Sequence, residues 1–350
     1  MKHTIAVIGC GRIANAAHLP ALSRIPDVRI KYGCDIILSK AEAAKAAFPN
    51  IEQAVEDYHT VLADPEVETV FVLTPNAVHY TVTMDALRAG KHVFCEKPIA
   101  VRYALAEEME KEAKAQGKLL NIGVCNRYQK SVEMLADMNR KGEFGHIYHV
   151  CCSFRSRRSI PGLGGAFTTK AESGGGVLID WGIHFFDLIL YILGESRVTE
   201  VMCDTYSELA KDMKSYRYES MWAEDTGDVE HGTNDVEELA SGYIRTPSAG
   251  ISFTGAWAQN IPKEEMYIDF LGDKKGARLD YCGHFTLFDG ETLKTETPEY
   301  DIPNMYEVED RAFLVATETG EKTRSYIDNI LPSAKLLEDL YASAAQHKHN

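Results

Sequence analysis

Of the eight cysteines in this 350-residue chain (10, 34, 95, 125, 151, 152, 203 and 282), no two stand in a CxxC pair. That absence excludes the dithiol redox sites and ribbon-type zinc sites that such pairs build. Several cysteines lie in strand-like apolar runs, where reduced, buried thiols are expected. No apolar run approaches the length that a bilayer span requires. The opening MKHTIAVIGCG lacks the apolar h-region and small-residue cleavage site of a secretion signal and reads directly as a strand. These absences point to the cytoplasm and away from membranes. Positive charge is also scarce, with 37 Lys and Arg against 52 Asp and Glu, a net charge of −15. Nucleic acid selects basic faces, so it is excluded as a partner. Repeats and low-complexity linkers are missing too.

What is present is ordinary for a globular protein: 45% hydrophobic and 25% charged residues. The length favours two domains over one core. Much of the acidic excess is local, because residues 204–238 carry eleven Asp or Glu against three Lys or Arg, net −8. This stretch reads as an exposed insertion with a solvated face, or as the rim of a pocket. HIYHVCC (146–152) puts His149 and Cys151 on one strand face. No second ligand pair at a recognised spacing accompanies them, so no metal is expected.

The first 125 residues alternate short β-rich runs, at 4–9, 28–34, 69–73, 92–95 and 119–124, with Ala-rich segments of helical spacing. Strands joined by crossover helices form a doubly wound parallel sheet, so 1–125 is read as an α/β Rossmann domain. The rhythm then changes. After helices at about 129–141 and 177–193, strands follow one another without regular helices between them. This pattern predicts a second, α+β domain over 126–350, built on a large, mainly antiparallel open sheet. Two helices close the chain, at about 306–319 and 325–345, the last packing back on the first domain.

IAVIGCGRIA fits the fingerprint G-x-G-x-x-G/A, with Gly9, Gly11 and Ala14 between a strand and a helix start. The first Gly permits the tight turn, the second lets the backbone approach a pyrophosphate, and Ala14 permits close helix–strand packing. Helix N-terminal amides then face the phosphates. Asp35 ends the second strand, about 20 residues on, where a carboxylate accepts from a ribose 2′-hydroxyl and repels a 2′-phosphate. NAD is therefore favoured over NADP, with Lys40 nearby in sequence as the counter-argument. The rival reading makes Asp35 a turn residue. TPNAVHY (74–80) and CEKP (95–98) leave two further strands at the same carboxyl edge, where an open α/β sheet binds its ligands. The plainer account has Asn76 capping a helix and Lys97 solvated.

In SGGGVLIDWGIHFFDLILYILG (173–194), Asp180, His184 and Asp187 fall at i, i+4 and i+7 on an otherwise apolar helix. Such a polar stripe is costly to bury unless its members are paired or used. Oxidising an alcohol needs a base for the hydroxyl proton and a cation for the developing alkoxide. Imidazole suits the first task and ammonium the second. His184 and Lys97 are the candidates, with Asp180 orienting them. A structural carboxylate–imidazole pair is the competing account, and Asp187 is assigned to it.

These motifs carry a resemblance. With GCGRIA, TPNAVH, CEKPIA, GGGVLIDWGIHFFD and LLEDLYASA, the chain resembles the Gfo/Idh/MocA oxidoreductases along essentially its whole length. The resemblance implies that Gly9, Gly11, Arg12 and Ile13 cradle the pyrophosphate of NAD and Asp35 its adenosine ribose. Thr74, Pro75, Asn76 and His79 would line the cofactor crevice. Glu96 and Lys97 would sit beside the nicotinamide, with Lys97 on the reacting hydroxyl and Asp180 and His184 completing the catalytic set. Arg127 would face cofactor and substrate. Family members tend to form homodimers or homotetramers through the outer face of the second-domain sheet.

FRSRRSIPGLGGAFTTK (154–170) looks like a loop of a bacterial subgroup that oxidises glycosides at C3, which makes Arg157 and Arg158 substrate-pocket candidates. The alternative is a surface loop pairing with the acidic insertion. The expected activity is thus NAD-dependent hydride transfer at a ring hydroxyl, at C3 by preference, of a sugar, glycoside or cyclitol. Two rivals stand beside it: glycosidic cleavage by transient oxidation and elimination with tightly held NAD, and a non-catalytic NAD-binding sensor.

Overall fold

The computed structural model describes residues 3–219, 227–281 and 283–346; Cys282 and the middle of the acidic insertion lie outside that range. The chain divides into two compact units, Met1–Tyr128 with Pro303–Leu331 and Gln129–Ile302 with Pro332–Asn350. The second unit therefore does not hold all of 126–350. The segment 303–331 returns to the first, and the division falls inside the final helix, Ile327–Gln346, at Leu331 and Pro332.

The first unit contains a six-stranded sheet. Its strands are β1 (His3–Ile8), β2 (Val28–Cys34), β3 (Ile51–Val55), β4 (Thr69–Val72), β5 (His92–Glu96) and β6 (Leu120–Gly123). They lie in the order β3-β2-β1-β4-β5-β6, with every neighbouring pair parallel. β4 and residues 5–8 of β1 are buried on both faces, as crossover helices on each side demand. The helices are amphipathic: Tyr103–Ala115 turns Ala106, Met109 and Ala113 inward at helical spacing. β3 was missing from the sequence reading, because an edge strand with exposed Glu52 and Gln53 shows neither an apolar run nor clean alternation. This strand order reverses direction between β1 and β4, and ligands bind at the carboxyl ends flanking such a switch. Gly9, Asp35, Thr74 and Lys97 all directly follow, or lie within two residues of, the carboxyl ends of β1, β2, β4 and β5.

The second unit is built on an eight-stranded sheet. Its strands are β7 (Ile147–Arg155), β8 (Glu200–Tyr206), β9 (Leu239–Arg245), β10 (Gly250–Ala256), β11 (Glu265–Gly272), β12 (Lys275–Asp280), β13 (Phe285–Asp289) and β14 (Thr295–Glu296). The order is β14-β13-β12-β11-β7-β10-β9-β8, antiparallel throughout except for the central pair β7 and β10. On one face, Phe154 stacks on Phe185 at 4.8 Å and Phe253 meets Phe186 edge-on at 4.9 Å. That core draws in the Lys130–Arg140 and Ile183–Leu193 helices. Arg278 pairs with Asp269 across strands at 2.6 Å and lies over the Tyr267 ring at 4.1 Å.

Two expectations need correction. The stretch Lys170–Leu193 is, at 24 residues, long and apolar enough by length and composition to cross a bilayer, contrary to the sequence reading. Phe185, Phe186, Leu188 and Ile189 within it are nevertheless packed into the core. The acidic insertion is not simply solvated either, since its Ala210, Tyr216 and Val236 belong to the same core. Among the described residues, none of the seven cysteines is in a disulfide and no cluster of His, Cys, Asp or Glu is arranged to hold a metal.

Candidate active site

The glycine loop comes first. Gly9 has φ +98°, and a Cβ there would lie 2.5 Å from the Leu73 carbonyl oxygen, so only glycine fits. Gly11 differs: a Cβ on it would meet nothing within 4 Å, which leaves its backbone open to a ligand. The loop enters a π-helical turn, Ala14–His18, and Asn15 braces it by donating to the Cys10 and Gly11 carbonyls, both at 2.8 Å. Asp35 ties the loop to the end of β2, its carboxylate accepting from the Cys10 and Ile37 amides at 2.9 Å each. An ionised carboxylate has about four acceptor positions, so capacity remains for a ribose hydroxyl. Arg12, Ile36, Ile37 and Lys40 are exposed, and Ile13 is half-buried.

At the end of β4, the Thr74 hydroxyl oxygen is buried and has no hydrogen-bond partner among the described residues. Pro75 is exposed and Asn76, half-buried, opens a single 3-10 turn, Asn76–Val78. His79 is almost fully buried, with Nδ1 2.7 Å from the Pro98 carbonyl oxygen and Nε2 2.8 Å from that of Thr74. The resemblance assigned His79 to the crevice lining. Both its ring nitrogens are instead committed to backbone, joining the turn after β4 to the turn after β5.

β5 ends in Glu96, and the next residue, Lys97, is half-buried. One Glu96 oxygen lies 3.0 Å from His18 Nε2, and the other accepts from the Lys97 amide at 2.9 Å. His18 Nδ1 in turn lies 2.9 Å from Asp310, in the Met305–Thr319 helix. Gly123 leaves room for this arrangement, since a Cβ there would sit 2.7 Å from Glu96 Oε1. Burial pulls the His18 imidazole down, but Asp310 and Glu96 outweigh it and push it up to about 10. Arg127 donates to the carbonyls of Arg324 at 2.8 Å and Asn329 at 3.0 Å, so the returning segment fixes its guanidinium.

In the second unit, Gly174 (φ +88°) ends a short helical turn, and Gly175 and Gly176 press against their surroundings. A Cβ on them would lie 2.1 Å from the Tyr341 hydroxyl and 1.9 Å from the Glu237 carbonyl oxygen. The buried Glu237 carboxylate accepts from the Gly176 and Leu178 amides at 3.0 and 3.1 Å and from the Tyr341 hydroxyl at 2.7 Å. These contacts fix the start of a π-helical turn, Leu178–Gly182, which carries the buried Asp180. His184 follows in the Ile183–Leu193 helix and is half-buried. The expected single α-helix over 177–193 thus opens with a π turn, a distortion frequent at functional sites. Asp187 is buried and accepts from the Ser333 hydroxyl at 2.7 Å.

The arginine loop is engaged locally. Arg157 pairs with Glu219 of the acidic insertion at 3.0 Å, and Arg158 donates to the Gln259 carbonyl at 2.8 Å. Tyr216 and Tyr218 of the insertion accept from the Ile160 and Leu163 amides. His18, Asp310, Glu237 and Tyr341 were not singled out in the sequence. His18 carried a faint signal, its place just beyond the fingerprint, whereas Asp310 stands 292 positions from its partner.

The open side of Gly11, the spare capacity of Asp35 and the unpartnered Thr74 hydroxyl fit a dinucleotide along this edge. Residues 3–124 match the model of the oxidoreductase family with an NAD-binding Rossmann fold, and 132–278 match the C-terminal domain of Gfo/Idh/MocA proteins. The chain is 31% identical to the D-glucoside 3-dehydrogenase of Escherichia coli K12 over 291 residues, 83% of this chain and 80% of that protein. It is 30% identical to the myo-inositol 2-dehydrogenase of Thermotoga maritima over 200 residues, 57% of each. The fold also matches that of a levoglucosan dehydrogenase solved with NADH and levoglucosan, with TM-score 0.86 and 18% identity, covering 99% of this chain and 98% of that one. The chain belongs to the Gfo/Idh/MocA family and is an NAD-dependent oxidoreductase.

Proposed function

We propose that the enzyme oxidises a ring hydroxyl of a sugar or glycoside, at C3 by preference, and reduces the corresponding ketone in the reverse direction. The observation that carries this reading is the 31% identity to a D-glucoside 3-dehydrogenase across four-fifths of both chains. The relative named as an inositol dehydrogenase supports the wider class of cyclic polyols.

Gly9, Gly11, Arg12 and Ile13 hold the pyrophosphate, Asp35 the adenosine ribose, and Thr74, Pro75 and Asn76 the adjoining stretch. Bound NAD supplies the hydride acceptor. His184 takes the proton of the reacting hydroxyl, and Asp180 sets its orientation. The Lys97 ammonium holds the oxygen as negative charge develops on it. Glu96 holds the Lys97 amide, and Arg127, fixed by the 324 and 329 carbonyls, stands by cofactor and substrate. Arg157 and Arg158 contribute to substrate recognition from a loop braced by the acidic insertion.

Seven cysteines outside any disulfide among the described residues support a reducing, cytoplasmic setting.

The deciding experiment incubates the protein with NAD and a panel of hexoses, methyl and aryl glycosides and inositols. It follows NADH formation and identifies products by mass spectrometry. NADH with a 3-keto glycoside is expected, and absence of any NADH across the panel removes the reading. Lys97→Ala should lower turnover by about 10²–10³-fold while NAD binding survives. Undiminished turnover in that variant would take Lys97 out of the reaction.

A further inference from the structure

Two buried histidines without a part in the chemistry above flank the Lys97 turn. His18 is fully buried, with its two nitrogens against Asp310 and Glu96. Through Glu96 it reaches the Lys97 amide. His79 reaches the other side of the turn, at the Pro98 carbonyl, and anchors to the Thr74 carbonyl. All four ring nitrogens therefore face oxygen.

A neutral imidazole has one N–H donor and one acceptor nitrogen. A carbonyl oxygen never donates, so His79 fills both contacts only when both nitrogens carry protons. His18 faces two carboxyl groups, and a shared positive charge between them is cheaper than two buried anions side by side. The charged and titratable groups around it are Glu96 from β5 and Asp310 and Glu309 from the Met305–Thr319 helix. Burial and the acidic neighbours Glu96 and Asp310 push the Glu309 carboxyl well above the usual carboxylate range. Aromatic rings close the remaining sides: Phe94 at 5.1 Å, Tyr306 at 5.4 Å and Phe71 at 6.2 Å. Beside His79 stands the Cys95 side chain, from β5, which is also within hydrogen-bonding reach of the ring.

We infer that His18 and His79 are positioning residues for Lys97, two buried imidazolium clamps that hold its turn from either side. His18 acts through the Glu96 carboxylate on the Lys97 amide, and His79 acts on the Pro98 carbonyl. A buried cation with two charge-assisted hydrogen bonds is a stiff support, because releasing either bond leaves a charge unpaired in a dry site. The inference rests on the reading of Lys97 as the group that holds the reacting oxygen.

The first test needs no substrate. In full-length protein labelled with ¹⁵N-histidine, long-range ¹⁵N–¹H correlation spectra report the protons on each ring nitrogen. At about pH 8, where an ordinary histidine is neutral, two histidines should keep both nitrogens protonated. Their signals should vanish in His18→Gln and His79→Gln, respectively. A neutral ring at either position overturns the inference.

The second test is kinetic. Each His→Gln variant should lose about ten- to a hundredfold in kcat and keep its NAD affinity within about threefold, and neither substitution should slow Lys97→Ala further. Wild-type kcat in both histidine variants, or equal further losses in the Lys97→Ala background, overturns the positioning role. Full activity of Lys97→Ala itself removes the reading on which the role rests, while the protonation result stands independently.

Discussion

Asp35 has one role in the glycine loop and a second in the proposed reading, and its substitution should separate them. Its carboxylate already holds the Cys10 and Ile37 amides, so it shapes the glycine loop before any ligand arrives. A hydrogen bond from a ribose hydroxyl to that charge is worth about 1.5–3 kcal/mol. Asp35→Ala should therefore weaken NAD binding by roughly ten- to a hundredfold and narrow the preference over NADP. Titration of both cofactors against the variant, by calorimetry, checks this. An unchanged NAD affinity would make Asp35 a turn residue after all. Cofactor choice was legible in the sequence because the fingerprint and its acid are close together in the chain. The hold on Lys97 was not, because it depends on the contacts His79–Pro98, His18–Glu96 and His18–Asp310, which span 19, 78 and 292 positions.

At the level of elements, the start of the second unit's polar helix is fixed by groups outside it. Glu237 and Tyr341 hold the amides of Gly176, Leu178 and Ile179. Tyr341→Phe removes a hydroxyl that donates to a buried carboxylate and accepts from an amide. A loss of about 1–3 kcal/mol in stability is expected. If the π turn depends on this anchor, kcat should fall as well. Urea unfolding and steady-state kinetics on one preparation test both, and an unchanged unfolding midpoint would show that the anchor is dispensable. The helix and its polar stripe were legible from periodicity. The π turn was not, since no spacing rule in the sequence marks where one extra residue enters a turn. β3 escaped for a related reason: edge strands do not need the apolar pattern by which buried strands are recognised.

Across the whole molecule, the buried histidines tie stability to pH. His18 is raised from 6.5 to about 10 and His79, pulled down by burial but raised more by Cys95 and the carbonyls, to about 9. The folded state thus keeps protons that the unfolded chain releases above 6.5. Their contribution is complete below that value and disappears as the pH climbs through 9 and 10. The unfolding temperature should fall between about pH 7 and pH 10, and fall less in His18→Gln, as differential scanning fluorimetry would record. An equally steep fall in the variant would assign the loss to other groups. His92, lowered to about 4 by burial and by Lys118, has the opposite sign, contributing above 6.5 and losing that contribution toward 4.

The return of residues 303–331 to the first unit has a consequence for biosynthesis. His18, Phe71 and Phe94 are made early, yet their partners Asp310 and Phe313 leave the ribosome only after the entire eight-stranded sheet. Until then the nascent nucleotide-binding unit carries an apolar patch and an imidazole waiting for its second carboxylate. Domains that close in order of synthesis can fold one after another. This one cannot, because its core and the His18 network close only once residues 303–331 have been made, almost with the last helix.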